Sequence, residues 1–208
     1  MHGAAHESSH ARELTARVQR RATSPHIFQL LNALTAEPPV TTPHVLIHRD
    51  ARVLTIELSR RDKKNAITLD MYRGMSDALD SARDDDSVGA VVLRGQDDLF
   101  TAGNDLGDFL SPRAREEGEG VRFLYTISAF PKPIVAAAGG PAVGIGTTML
   151  MHCDLVVASD AARFQLPFVN LGLCPEAASS LLLPQMAGHR LAAELLLREG
   201  EELEVGDL

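Results

Sequence analysis

Cysteine is scarce. The two that occur, Cys153 and Cys174, form neither a disulfide framework nor a zinc-binding spacing, and they read as free thiols in a reducing compartment. Positive charge is in deficit too. Lys and Arg number 20 against 28 Asp and Glu, for a formal net charge of −8. That argues against broad nucleic-acid binding and leaves a local basic patch for one anionic ligand. No apolar run is long enough to cross a membrane. No apolar core follows the first charges of the N-terminus, so a secretory signal is not expected. Four arginines and one glutamate between Ala11 and Arg21 leave a mitochondrial presequence open. The final Gly206-Asp207-Leu208 is not a peroxisomal address. No repeat of solenoid period is found.

What is there is an ordinary globular balance. The chain has 208 residues, 45% of them hydrophobic and 23% charged, enough for one domain with a sizeable core. Residues 1–43 stand apart, rich in His, Ser, Thr, Ala and Pro, and read as a mobile extension with one short helix at about residues 24–34. His2, His6 and His10 could share a helix face, but they read as a solvated tail rather than a metal site. Residues 44–208 form the patterned domain. His44–Arg49 and Arg52–Leu58 are β-rich runs split by Asp50-Ala51, which predicts a hairpin. A helix follows Thr68 as N-cap, with Leu69, Tyr72, Met75, Leu79 and Ala82 at helical spacing. Val88–Leu93 reads as a buried strand, Phe100–Leu110 as a short loop and helix, and Pro112–Gly120 as a mobile loop. Val121–Phe130 predicts a helix, Pro133–Ala138 a strand, Thr147–His152 a helix and Leu155–Ala158 a strand. Strands alternating with helices predict an α/β architecture.

Two glycine-bearing turns carry the chemistry. Leu99-Phe-Thr-Ala-Gly-Asn-Asp-Leu106 and Gly139-Gly-Pro-Ala-Val-Gly-Ile-Gly-Thr147 each lead from a strand into a helix. Such turns leave backbone N–H groups unpaired at the positive end of a helix, where negative charge can develop. The second turn is not a nucleotide loop, because Ile145-Gly146 stands where Lys-Ser/Thr is required and Met149 where a dinucleotide fingerprint needs its third glycine. Alone, each turn is weak evidence, and tight strand–helix packing is the more ordinary use of its glycines.

Taken together, four segments resemble the crotonase (enoyl-CoA hydratase/isomerase) superfamily, in its order, over about residues 44 to 198. Arg60-Arg-Asp-Lys-Lys-Asn-Ala66 is similar to its CoA-contacting loop. Phe100–Leu106 and Gly140–Asp154 are similar to its two oxyanion-hole segments, and Asp160–Gly172 to the segment that follows. The resemblance implies a spiral of ββα units, here with a truncated C-terminal helical region: an acidic tail, Glu199–Leu208, stands where the family's last helices would be. It further implies an acyl-CoA thioester substrate and no cofactor beyond the CoA of that substrate. A homotrimer or hexamer and a cytoplasmic, mitochondrial or peroxisomal location are implied with it.

By position, the oxyanion-hole N–H groups would be those of Ala102 and Ile145. Substrate contacts would come from Lys63, Lys64, Asn65, Ala66, Asp105, Leu106, Gly144 and Phe168. The two glutamates typical of hydratases fall on Thr148 and Phe168, neither of which is a carboxylate, so ordinary hydration is not expected. Leu173-Cys-Pro-Glu-Ala-Ala-Ser-Ser180 is instead similar to the segment that carries the single base of peroxisomal-type Δ3,Δ2-enoyl-CoA isomerases, which makes Glu176 the expected catalytic residue, acting in fatty acid β-oxidation. Read from the residues alone, Glu176 could equally be a helix-start carboxylate after Pro175. Hydratase or other crotonase-type chemistry, and a non-catalytic acyl-CoA-binding protein, are the alternatives.

Overall fold

The structure is a computed structural model that describes residues 40–42, 44–198 and 202–204. The expected helix at 24–34 and the three N-terminal histidines lie outside them. The chain opens with an antiparallel meander of β1 (Val40–Thr42), β2 (Val45–Asp50) and β3 (Val53–Leu58). Ala51 takes a left-handed φ of 48° in the β2–β3 turn, the hairpin that the Asp50-Ala51 break predicts. After a 3-10 turn, Arg61–Lys63, the chain crosses the sheet as α1 (Leu69–Arg83) and returns as β4 (Ala90–Arg94), parallel to β3. Thr68 caps α1, its side chain accepting from the Met71 N–H at 3.2 Å. The face of α1 that bears Met71, Tyr72, Met75, Leu79 and Ala82 is buried, each large side chain contributing roughly 1.5–3 kcal/mol.

The next crossover departs from the sequence reading. Residues 112–120 are not a loop. A single turn, α2 (Leu106–Phe109), is followed by α3 (Pro112–Glu117) and α4 (Glu119–Ser128). The reason is local. The Ser111 hydroxyl accepts from the Ala114 N–H at 3.3 Å, Pro112 occupies the first turn of α3, and Gly118 ends it in a left-handed conformation with φ 64°. The charged residues that suggested mobility are paired: Arg73 on α1 bonds Glu117 (2.8 Å) and Glu119 (2.9 Å), and Arg113 bonds Asp70 at 3.1 Å. On the inner side, α1 and α4 meet through Tyr72 and Phe123, whose ring centroids are 5.5 Å apart.

β5 (Ile134–Ala138) adds in parallel to β4, and the short β6 (Ala142–Val143) leads directly into α5 (Ile145–Thr148) and a 3-10 stretch, Met149–His152. β7 (Leu155–Ala158) then completes a sheet of order β1-β2-β3-β4-β5-β7. A second sheet pairs β6 with β8 (Arg163–Gln165) in parallel, and β8 with β9 (Glu202–Glu204) antiparallel. The strand β9 is a finding, because the acidic tail carries no strand signal. Three helices lie between β8 and β9: α6 (Phe168–Leu171), α7 (Ser179–Ala187) and α8 (His189–Leu197). Gly140 sits where the ends of the large sheet converge. A Cβ there would lie 2.0 Å from the Asp98 carbonyl oxygen, so no other residue fits without moving backbone.

Candidate active site

The two glycine turns lie side by side, joined by a parallel bridge between Thr101 and Ala142. The Thr101 N–H donates to Pro141 O at 3.0 Å, and the Val143 N–H donates to Thr101 O at 3.0 Å. On its other flank, the first turn is bound to the chain before α1. The Ala102 N–H donates to Lys64 O (2.9 Å), the Ile67 N–H to Gly103 O (2.8 Å) and the Asp105 N–H to Ile67 O (2.9 Å).

These bonds correct one expectation. The Ala102 N–H is committed to Lys64, so it is not a free oxyanion donor. Gly103, at φ 90°, reverses the normal alternation of the strand. Because Gly103 and Asp105 both bond Ile67, the N–H of Asn104 between them is turned away from Ile67. The Ile145 N–H opens α5 just after Gly144, which takes φ 57° and ψ −117°. Among the described residues, the N–H groups of Asn104 and Ile145 donate to no acceptor. A pair of free N–H donors at a helix start and an adjoining turn is the arrangement that holds an oxyanion.

Asn104 is further held by its side chain, whose Oδ1 accepts from the Tyr72 hydroxyl at 2.5 Å. Tyr72 is buried, and burial, followed by the charge of Glu176, raises its phenol well above the ordinary value. It is therefore a proton donor at any physiological pH. Sequence periodicity marked Tyr72 only as a core position on α1. Its hydroxyl, a polar atom on that largely apolar face, was the available signal.

Glu176 follows α6 in the segment before α7. Its Oε1 accepts from the Thr148 hydroxyl at 3.3 Å. Burial raises its pKa above the usual carboxylate value, and the Thr148 bond opposes that shift without reversing it. Asp85, Asp98 and Asp105, by contrast, are held below the usual carboxylate range by their hydrogen bonds to Ser87, Arg61 and Arg60. Thr148 itself is fully buried, and Phe168 is 4% exposed, so the two positions that lack carboxylates lie in the interior.

The expected substrate-contacting residues divide into two groups. Lys63 and Lys64 are exposed with no carboxylate partner among the described residues, while Arg60 is paired with Asp105 (2.7 Å) and Arg61 with Asp98 (2.7 Å). The two lysines are therefore the unneutralised cations of this loop. Leu106 is exposed, and Ala66 and Gly144 are half-buried. The side chains of Asn65 and Asp105 are bonded within the protein. The Asn65 side chain is fully buried: it accepts from the Arg60 N–H (2.7 Å) and donates to Gln96 Oε1 and Phe100 O (both 2.9 Å). Asp105 pairs with Arg60 and caps α2 through the Gly107 and Asp108 N–H groups. Both side chains brace the turns around the site. Among the described residues there is no cluster of His, Cys, Asp and Glu that could hold a metal ion, and no helix long and apolar enough to cross a membrane.

Comparison with known proteins identifies the family. The chain is 43% identical over 160 residues to enoyl-CoA delta isomerase 2 of Rattus norvegicus, covering 74% of this chain and 41% of that protein. It is 35% identical to 4-chlorobenzoyl coenzyme A dehalogenase-2 of an Arthrobacter species, over 74% of this chain and 59% of that protein. In three dimensions it is similar to Pseudomonas aeruginosa OdaA, with a TM-score of 0.74 and 49% identity over 79% of this chain and 66% of that one. The chain thus spans about two fifths of the rat relative's length and two thirds of the solved structure's. The sequence profile of the enoyl-CoA hydratase/isomerase family matches residues 48–207, and with the crotonase architecture around the two glycine turns this establishes that the chain belongs to that family.

Proposed function

We propose that the chain is an enoyl-CoA isomerase that moves a 3-enoyl-CoA double bond to the 2-trans position, with Glu176 as its single base. The observation that carries this reading is the buried carboxylate of Glu176, held above its ordinary pKa at Thr148, which ends the short helix that Ile145 opens, and close enough for its charge to act on Tyr72, the partner of Asn104. The thioester oxygen would accept from both N–H groups, which makes the C2 proton acidic. Glu176 would remove that proton, electron density would shift onto the thioester oxygen as an enolate, and the same carboxyl would return the proton at C4. The double bond then lies between C2 and C3, conjugated with the carbonyl, and the base is regenerated. One carboxyl suffices because no water is added. Hydration needs a second acid–base group, and Thr148 and Phe168 offer none. Lys63 and Lys64 would meet the CoA phosphates, and residues 44–208 would form the acyl-CoA-binding domain with no cofactor of its own. The similarity to delta isomerase 2 supports the reaction, and that to a dehalogenase acting on another coenzyme A thioester supports the thioester grip.

The test is to follow conjugation of a medium-chain 3-enoyl-CoA by ultraviolet absorbance. The wild type should turn over, and Glu176→Gln should lose on the order of 10²–10⁴ in kcat while still binding CoA. Hydration of a 2-enoyl-CoA without isomerisation would replace this reading with the hydratase one. Binding with no turnover on either substrate would leave an acyl-CoA-binding protein.

A further inference from the structure

Residues 172–178, which carry Glu176, contain no helix or strand of their own. The segment ends in two consecutive left-handed residues, Ala177 (φ 51°) and Ala178 (φ 55°). L-residues avoid this conformation because Cβ crowds the following carbonyl oxygen, so it persists only where surrounding contacts impose it. Three contacts do so. The Ser179 N–H donates to Glu176 O at 2.8 Å, closing the turn on itself. The Thr148 hydroxyl donates to the Glu176 carboxylate at 3.3 Å. Nε2 of His152 lies 2.9 Å from Ala177 O. Thr148 ends α5 and His152 ends the 3-10 stretch, about one turn further on. A single rigid piece of chain thus holds the side chain of Glu176 at one point and the backbone of its neighbour at another. A carbonyl oxygen only accepts, so Nε2 must carry the proton. The neutral ring in its Nε2–H form and the imidazolium both satisfy that requirement.

We propose that His152 is a positioning residue for the base: through its Nε2–H it draws the Ala177 carbonyl onto the 3-10 stretch and, with Thr148, clamps the Glu176 segment at two points. The inference rests on the reading of Glu176 as the base. It assigns to the imidazole a task that an apolar side chain of the same bulk could not perform, because what is required is one N–H at one place. His152 touches no reacting atom; it acts through Glu176.

Two variants separate positioning from packing. His152→Leu keeps the bulk and removes the donor, whereas His152→Gln keeps an N–H at similar reach. The leucine variant should lose about 10- to 100-fold in kcat, the range expected when a catalytic group is displaced by about an ångström, with KM changed less than about twofold. The glutamine variant should stay within about threefold of wild type. Hydrogen exchange at the Ser179 amide should speed up at least about tenfold in the leucine variant, while the Val91 amide in the sheet stays as protected as before. Equal activity of both variants, or equal loss with exchange rising throughout, overturns the proposal. A further measurement needs neither folding of a variant nor turnover: nitrogen-15 NMR of the wild type should place a proton on Nε2 of His152, slow to exchange with solvent. A neutral ring protonated on Nδ1 alone would refute the clamp. Because the exchange and NMR arms do not read activity, they judge His152 even if the isomerase assay is negative.

Discussion

An ionised carboxylate at residue 176 is held in surroundings that disfavour its charge. The folded-state pKa is raised, so the fold prefers the protonated form. Stability from this group is fully present below the unfolded pKa of about 4.3 and is lost as pH rises through the higher folded value. Glu176→Gln should therefore melt at a higher temperature than the wild type at pH 7, and the difference should close as pH falls to about 4. A melting difference that is absent at pH 7, or equally large at both pH values, would mean that Glu176 is better solvated than its burial indicates. At this scale Ile145 and Glu176 come to notice in the sequence only through the family resemblance, and the structure gives the first a free N–H and the second a raised pKa. Asn104 does not come to notice in the sequence, because which N–H in a glycine turn is left free depends on a backbone reversal at Gly103 and on bonds to Lys64 and Ile67. Those bonds join segments nearly forty positions apart. Tyr72 was hidden for a related reason: its spacing announces a buried face, and nothing in a periodic pattern says where a hydroxyl on that face will point.

Elements hold these atoms in place, and the turn before α1 does the most. Lys64 and Asn65 are both left-handed, with φ 50° and 54°. Asn65 tolerates this while its buried amide ties Arg60, Gln96 and Phe100 together, and its own carbonyl accepts from the Thr101 hydroxyl at 2.6 Å. Asn65→Ala should destabilise the protein by roughly 2–4 kcal/mol, because it strands buried partners of several bonds at once. Denaturant unfolding would measure the loss. Activity per folded molecule at saturating substrate should change little if the amide serves only to build the site, and a large kcat defect in fully folded protein would restore it as a ligand contact. Most elements were legible: the hairpin, α1 with its Thr68 cap, and the buried strands follow from period and punctuation. Residues 112–120 were misread because charge density outweighed the Ser-Pro start and glycine stop, and only the arginine pairs with α1 show why the charges do not keep the segment loose. The pairing of β9 was not readable at all, since three acidic-tail residues gain strand geometry only from the edge of β8.

The whole molecule places its two thiols in very different settings. Burial, with a lesser contribution from Asp154, pushes Cys153 up to about 12. Cys174 is exposed, two residues before Glu176. A neutral alkylating reagent at pH 8 should modify Cys174 first and Cys153 only after unfolding, with mass spectrometry of peptides as the readout. A bound acyl-CoA should slow the first reaction. Rapid labelling of Cys153 in native protein would mean that the α5 region opens far more readily than its packing implies. On this scale the order of segments along the chain was enough to suggest the architecture. How the second sheet closes was not, because it joins residues at positions 142, 164 and 203, whose pairing is written in the tertiary structure rather than in any local pattern.

In the proposed mechanism the bridge between Thr101 and Ala142 joins the two turns whose backbone would grip the carbonyl, whereas the proton would be handled by a side chain arriving from a later segment. The two tasks are therefore separable by design. A protein engineer could erase, relocate or duplicate the acid–base group at residues 148, 168 or 176 and leave the thioester grip untouched, so that one scaffold serves as a socket for several reactions of the same activated carbonyl.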